Sequence, residues 1–273
     1  MDARVAGTGI GSIEELNGLP AEVRDALYWR LVPPEVFPRV SADPRTGRNA
    51  AGHQLVRVIA APGQPWARVE ARASRDDRDP LLLVDVEMSP FLVPELSFVQ
   101  VTDPTAERFA IDRDPEGRDT LFGTVSRNVA EEARALAAGL APGQVRRGLR
   151  VLGRVLDAMG EFCRLLGTEL FVVEPLFYHS ALVYERHGCA YLFGRERMEE
   201  IHAEFQPGGR LHAALDDSTP FRRLGFDKTA RGRSWAIHDG VLSRLDGASW
   251  GGVKMYRQAG RYPGISTFPG GAY

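Results

Sequence analysis

From about residue 55 to residue 102 the apolar positions alternate, and from about residue 120 onward they recur every three or four. The change of period divides the chain into a strand-rich stretch and a mixed helical one. LVRVIAA and WARVEARA flank the turn-like PGQP and predict a hairpin. LLLVDVE is a continuous apolar run suited to a central strand, and LSFVQVT and RFAID extend the set to an antiparallel meander. Ahead of it, Ser12 and Glu15 have capping-box spacing, and Pro20 can open the helix AEVRDALYWRLV, which Pro33 and Pro34 must stop. The polar segment SADPRTGRNAAG, residues 41–52, reads as a linker or mobile loop.

After Asp119 the spacing predicts helices over 120–140 and 145–167, separated by APGQ. The strand ELFVVE follows, then a helix over FYHSALVYERHGC, a strand at AYLFG and a short acidic helix, RERMEEIHAEF. Beyond Gln206 the chain is Gly-rich, with short strands expected at SWAIHD and VKMYR. The expected fold is α+β (α/β), a mixed and mainly antiparallel sheet with packed helices. Residues 1–51 form an N-terminal helical extension, 52–205 the core, and 206–273 an extension packed on it.

Composition narrows the function classes. The 273 residues are 44% hydrophobic and 26% charged, the profile of a globular protein. A net charge of −2 gives no global attraction to nucleic acid or anionic membrane, and no apolar run approaches the roughly 20 residues that cross a bilayer. The N-terminus lacks the charged-then-apolar layout of a secretory signal. Cys163 and Cys189 are too few for a disulfide framework or a four-cysteine zinc site. These features lead us to expect a cytoplasmic protein acting on a small molecule.

Two motifs fail on inspection. GTGIGS, residues 7–12, lacks the preceding strand that a dinucleotide loop requires. DRDPEGRD begins like a calcium loop but has Gly123 at its twelfth position, so it reads as a charged turn. No GxSxG nucleophile elbow occurs. The segment RRGLRVLGRVLDAMGEFCRLLG is more informative. Arg146, Arg147 and Arg150 fall in the expected first turns of its helix, where unpaired N–H groups and the helix dipole favour phosphate. The same arginines also suit a solvated helix face.

Across residues 144–189 the order helix, strand, helix resembles the GCN5-related N-acetyltransferase (acyl-CoA N-acyltransferase) superfamily. Arg147-Gly148 matches the start of the family's coenzyme A loop, and Val155-Leu156 and Gly167 match its leucine pair and helix-ending glycine. ELFVVE matches the strand that splays from its neighbour to admit the acyl thioester. Ala181, Tyr184-Glu185 and Gly188-Cys189 match the helix after it. The chain departs from the family in carrying Arg150 and Leu152 where small residues are usual, and in a predicted helix where the family has a strand before the loop.

The resemblance implies transfer of an acyl group from acetyl-CoA or another acyl-CoA to a small amine. Arg146, Arg147, Gly148 and Arg150 would hold the cosubstrate, Tyr184 would be the general acid and Glu174 the base, with no metal. The alternative chemistry is a metal site of His179, His187, Glu199 and His202, since Glu199 and His202 share a helical face. A third reading keeps an acyltransferase-like frame as a non-catalytic binding protein. His212 and the His238-Asp239 step add polar groups in a segment that could line a pocket or hold a tail strand.

Overall fold

The computed structural model describes residues 9–245 and 247–273 and shows an α+β protein with seven strands, mostly antiparallel, packed with helices. Residues 7 and 8 of the glycine motif lie outside the described part. No helix among the described residues is long and apolar enough to cross a membrane. The chain forms two compact units, one of residues up to 105 with 148–173 and 256–261, the other of 106–147, 174–255 and 262–273.

The first unit is built on the meander. Strands β1 (Val56–Ile59), β2 (Trp66–Ala71), β3 (Leu82–Met88) and β4 (Pro94–Val101) pair antiparallel in chain order. Their registers bring Ala67, Val69, Val84 and Val86 into the core, as alternation requires. A bulge at Asp85/Val86 bends β3 against β4. β5 (Leu170–Val173) joins β4 in parallel, and the last three residues of β7 (Lys254–Gln258) follow β5 in the strand order.

Helices α1 (Ile13–Asn17), α2 (Ala21–Tyr28), α3 (Val36–Arg39) and α5 (Leu152–Leu165) belong to the same unit. Ser12 caps α1 by accepting from the Glu15 amide. The fully buried Tyr28 donates to Asn17 at 2.6 Å, and Asn17 donates to the carbonyls of Gln64 and Trp66, so the polar groups beneath the sheet are satisfied. Tyr28 stacks at 5.5 Å on Phe162, one of six buried residues of α5.

The second unit holds α4 (Val129–Ala137), α6 (Tyr178–Arg186), β6 (Ala190–Phe193), α7 (Arg195–Glu204), α8 (Arg210–Ala213), α9 (Ala230–His238) and the start of β7, beside which β6 lies. Its core packs Phe109, Ile111, Ala135, Leu140, Val145 and Phe221 around Trp235. The Trp235 indole donates to the Leu140 carbonyl at 2.8 Å and stacks on Phe221 at 5.1 Å.

Several sequence expectations are corrected. SWAIHD is not a strand. It lies in α9, which Thr229 caps by accepting from the Gly232 amide at 2.9 Å. RFAID alternates, burying Phe109 and Ile111, yet joins no ladder; Phe109 donates to the Val145 carbonyl and Thr120 donates to that of Ile111. The helix expected over 120–140 begins only at Val129, because Leu121, Phe122 and Gly123 are left-handed (φ 48°, 58° and 84°). The helix expected from 145 begins at Leu152, after Arg150 turns left-handed at φ 59°. Arg146, Arg147 and Arg150 therefore precede α5 rather than lying in its first turns.

Candidate functional site

In the first unit the parallel pairing of β4 and β5 is short. Glu95 pairs with Val172 and Leu96 with Val173; there the pairing stops, and residues 98–101 continue with β3 as their strand partner. The sheet thus opens along the second half of β4. The segment before α5 returns to the end of that strand. A Cβ on Gly148 would come 3.1 Å from the Val101 carbonyl oxygen, so only glycine fits without a shift there. α5 starts with Val151 at its cap and no side-chain hydrogen bond to its first N–H groups, leaving them for solvent or an anion. Arg147 and Arg150 are exposed, while the half-buried Arg146 donates to the Ala106 carbonyl.

Of the sequence-predicted residues, Gly148 and Arg150 lie in the first unit, whereas Arg146, Arg147 and the rest lie in the second. Tyr184 is buried on α6, and burial pushes its hydroxyl well above the ordinary tyrosine range. Glu174 is largely exposed and lies 3.3 Å from Lys254 Nζ. His179 Nδ1 lies 2.9 Å from the Ser234 hydroxyl in a fully enclosed position. Burial, with the charge of Arg231 and then His238 adding to it, lowers its pKa to about 3. His202 faces Arg233 and Gln206, and Glu199 pairs with Arg195. His179, Glu199 and His202 thus bind separate partners, and among the described residues no group of three His, Cys, Asp or Glu side chains is placed to hold a metal ion. Cys163 is buried, which pushes its thiol up to about 12 and removes thiolate chemistry at neutral pH.

Two buried carboxylates stand out that the sequence did not single out for chemistry. Glu132 on α4 contacts His238 Nε2 at 3.0 Å and Arg127 at 2.6 Å. Arg127 also reaches Asp239 at 2.9 Å, and Asp239 accepts from Arg222 at 2.7 Å and Thr219 at 2.8 Å. Burial alone would raise both carboxyls. Hydrogen bonds from His238 and Arg127 to Glu132, and from Arg127, Thr219 and Arg222 to Asp239, outweigh it and hold each below its usual value. Gly123 covers this network so closely that a Cβ there would sit 2.8 Å from Glu132 Oε1 and 3.1 Å from the His238 ring. The left-handed run at 121–123 is the cost of that approach.

The second carboxylate, Glu185 on α6, is 3% exposed. It accepts from the Thr267 hydroxyl at 2.6 Å, from the Thr267 amide at 3.1 Å and from the Tyr191 hydroxyl. Among the described residues no Lys, Arg or His nitrogen lies within ion-pair distance of it, although Arg186 is its neighbour in sequence. The Arg186 guanidinium turns to the Tyr273 ring at 5.3 Å and the Gly271 carbonyl. Glu185 lines a cleft of about 270 Å³ together with Leu182, Arg186, Tyr262, Ile265 and Phe268.

No family model, curated protein or solved structure matches this chain.

Proposed function

We propose that the protein transfers an acyl group from an acyl-coenzyme A to a small amine, as the resemblance across residues 144–189 implies. The observation that supports this reading best is the β4–β5 opening of the first unit. A parallel pair that meets over two residues leaves one side of residues 97–101 without a β5 partner, and an extended chain bearing amides is suited to add along such an edge. The uncapped start of α5 and the exposed Arg150 supply N–H groups and charge of the kind that a pyrophosphate requires. The family's strand before the loop then corresponds to β4, with residues 102–147 inserted between that strand and Gly148.

The chemistry follows from the groups that the resemblance designates. The amine nitrogen, made neutral by loss of a proton to Glu174 directly or through water, attacks the thioester carbonyl carbon. The C–N bond forms as the C–S bond breaks, the Tyr184 hydroxyl gives its proton to the leaving thiolate, and the remaining extra proton on the nitrogen passes to the tyrosinate, directly or through water, which leaves a neutral amide and restores Tyr184. Tyr184, like any tyrosine, carries its proton at neutral pH, the state that a proton donor needs. Glu174 beside Lys254 is exposed enough to exchange its proton with water.

The test is a thermal-shift series with acetyl-coenzyme A and longer acyl-coenzyme As. A dose-dependent rise in melting temperature supports the reading, since a ligand that binds only the folded state stabilises it. Turnover reduced about 10²-fold or more by Tyr184→Phe, with the shift retained, assigns the acid. Absence of any shift at millimolar ligand would overturn it.

A further inference from the structure

We infer that the cleft beside Glu185 is a binding site for a small organic ammonium, a primary amine carried on a short apolar or aryl chain. Among the described residues every hydrogen-bond donor to the Glu185 carboxylate is neutral: the hydroxyl of Thr267, its backbone amide, and the hydroxyl of Tyr191. Three donors aimed at two oxygens match a carboxylate acting only as acceptor. A buried charge without an opposite charge is unfavourable, and the approach of a cation reverses that penalty.

Geometry then points to the ligand's shape. Oε2 accepts only from the Thr267 amide, so it retains capacity for a donor from the cleft. Leu182, Ile265 and Phe268 give the cleft apolar walls, and Tyr262 stands exposed at its rim with an aromatic face that suits a cation. The volume of about 270 Å³ lies just below the usual range for small-molecule sites and suits a small ligand. Arg186 does not neutralise the carboxylate from within, because Tyr273 and Gly271 hold its guanidinium.

The site stands apart from the acyltransferase reading, and its test measures binding alone, with no coenzyme A present. Phenethylammonium is titrated calorimetrically into the full chain at neutral pH, beside its neutral isostere 2-phenylethanol. The ammonium should bind at least about tenfold more tightly than the alcohol, and Glu185→Gln should remove that difference. Ser266→Trp, at an exposed position on the cleft wall, should block binding without touching the buried carboxylate. Equal binding of amine and alcohol, an unchanged affinity in Ser266→Trp, or no heat with millimolar ammonium would each overturn the proposal. Should Glu185→Gln fail to fold, the isostere comparison and Ser266→Trp still decide it.

Discussion

Glu132 and Glu185 are both almost fully buried in the second unit, yet their surroundings differ in kind. Arg127 and His238 face the first, and a second acid, Asp239, extends the network to Arg222. Among the described residues only neutral donors hydrogen-bond to the second, which lines a cleft. Burial alone therefore does not distinguish a structural carboxylate from a binding one. What distinguishes them is whether the fold itself supplies the opposite charge. The Glu132 network joins residues more than a hundred positions apart, and both oxygens of its carboxylate have a cationic or imidazole partner. Glu185 is held in position by its donors while its charge is left to a ligand.

The largest effect should come from breaking the paired site. Glu132→Gln removes the charge that Arg127 and His238 share, and losing one partner of a buried ion pair costs about 3–5 kcal/mol. An unfolding free energy from urea titration lowered by that amount is the expected result, and a loss below about 1 kcal/mol would deny the network its structural role.

A pH series sharpens the contrast. His179, with a folded-state pKa of about 3, stays neutral in the fold but protonates near 6.5 when unfolded. Its contribution is therefore complete above about pH 6.5 and declines as the pH falls toward 3, by about 2 kcal/mol at pH 5. Glu132 and Asp239 are depressed carboxyls, so their contribution is lost only below about pH 4, as the pH falls through their folded values. His179→Asn should flatten stability between pH 7 and 5 and leave the steeper acid loss in place. An unchanged slope over that interval would place another group behind it.

The smallest effect should follow Glu185→Gln in the absence of amine. Its amide oxygen can still accept from Thr267 and Tyr191, so the change should cost no more than about 1 kcal/mol. A urea midpoint lowered as far as in Glu132→Gln would erase the distinction between the two carboxylates.

The meander was legible because alternation is a local signal and each strand of it pairs with its sequence neighbour. VKMYR, ELFVVE and AYLFG were legible as strands from their short apolar runs, although the strand order takes them out of chain sequence. α9 was misread because seven of its nine residues are buried, so no polar stripe marks a helical period. The left-handed turns at 121–123 and Arg150 leave no trace in an apolar pattern, and each moved a helix start by several residues. Of the candidate chemistry, the sequence marked the helix that carries Tyr184 and Glu185, but the partners of the buried carboxylate at Glu185 sit at positions 191 and 267. Arg127, Glu132 and Asp239 formed no motif because Arg127 and Glu132 meet Asp239 and His238 only across more than a hundred positions of chain.

The β4–β5 seam also has a consequence in time. β1 to β4 are joined by short turns, whereas Leu96 meets Val173 across 77 positions of chain (173 − 96). Loop closure over that span must precede any reward from two paired residues, so this step is expected to lag behind the local hairpins. Refolding of the first unit should then be limited by the arrival of β5, and mutations at the seam should act more on the rate of folding than those at the meander's turns.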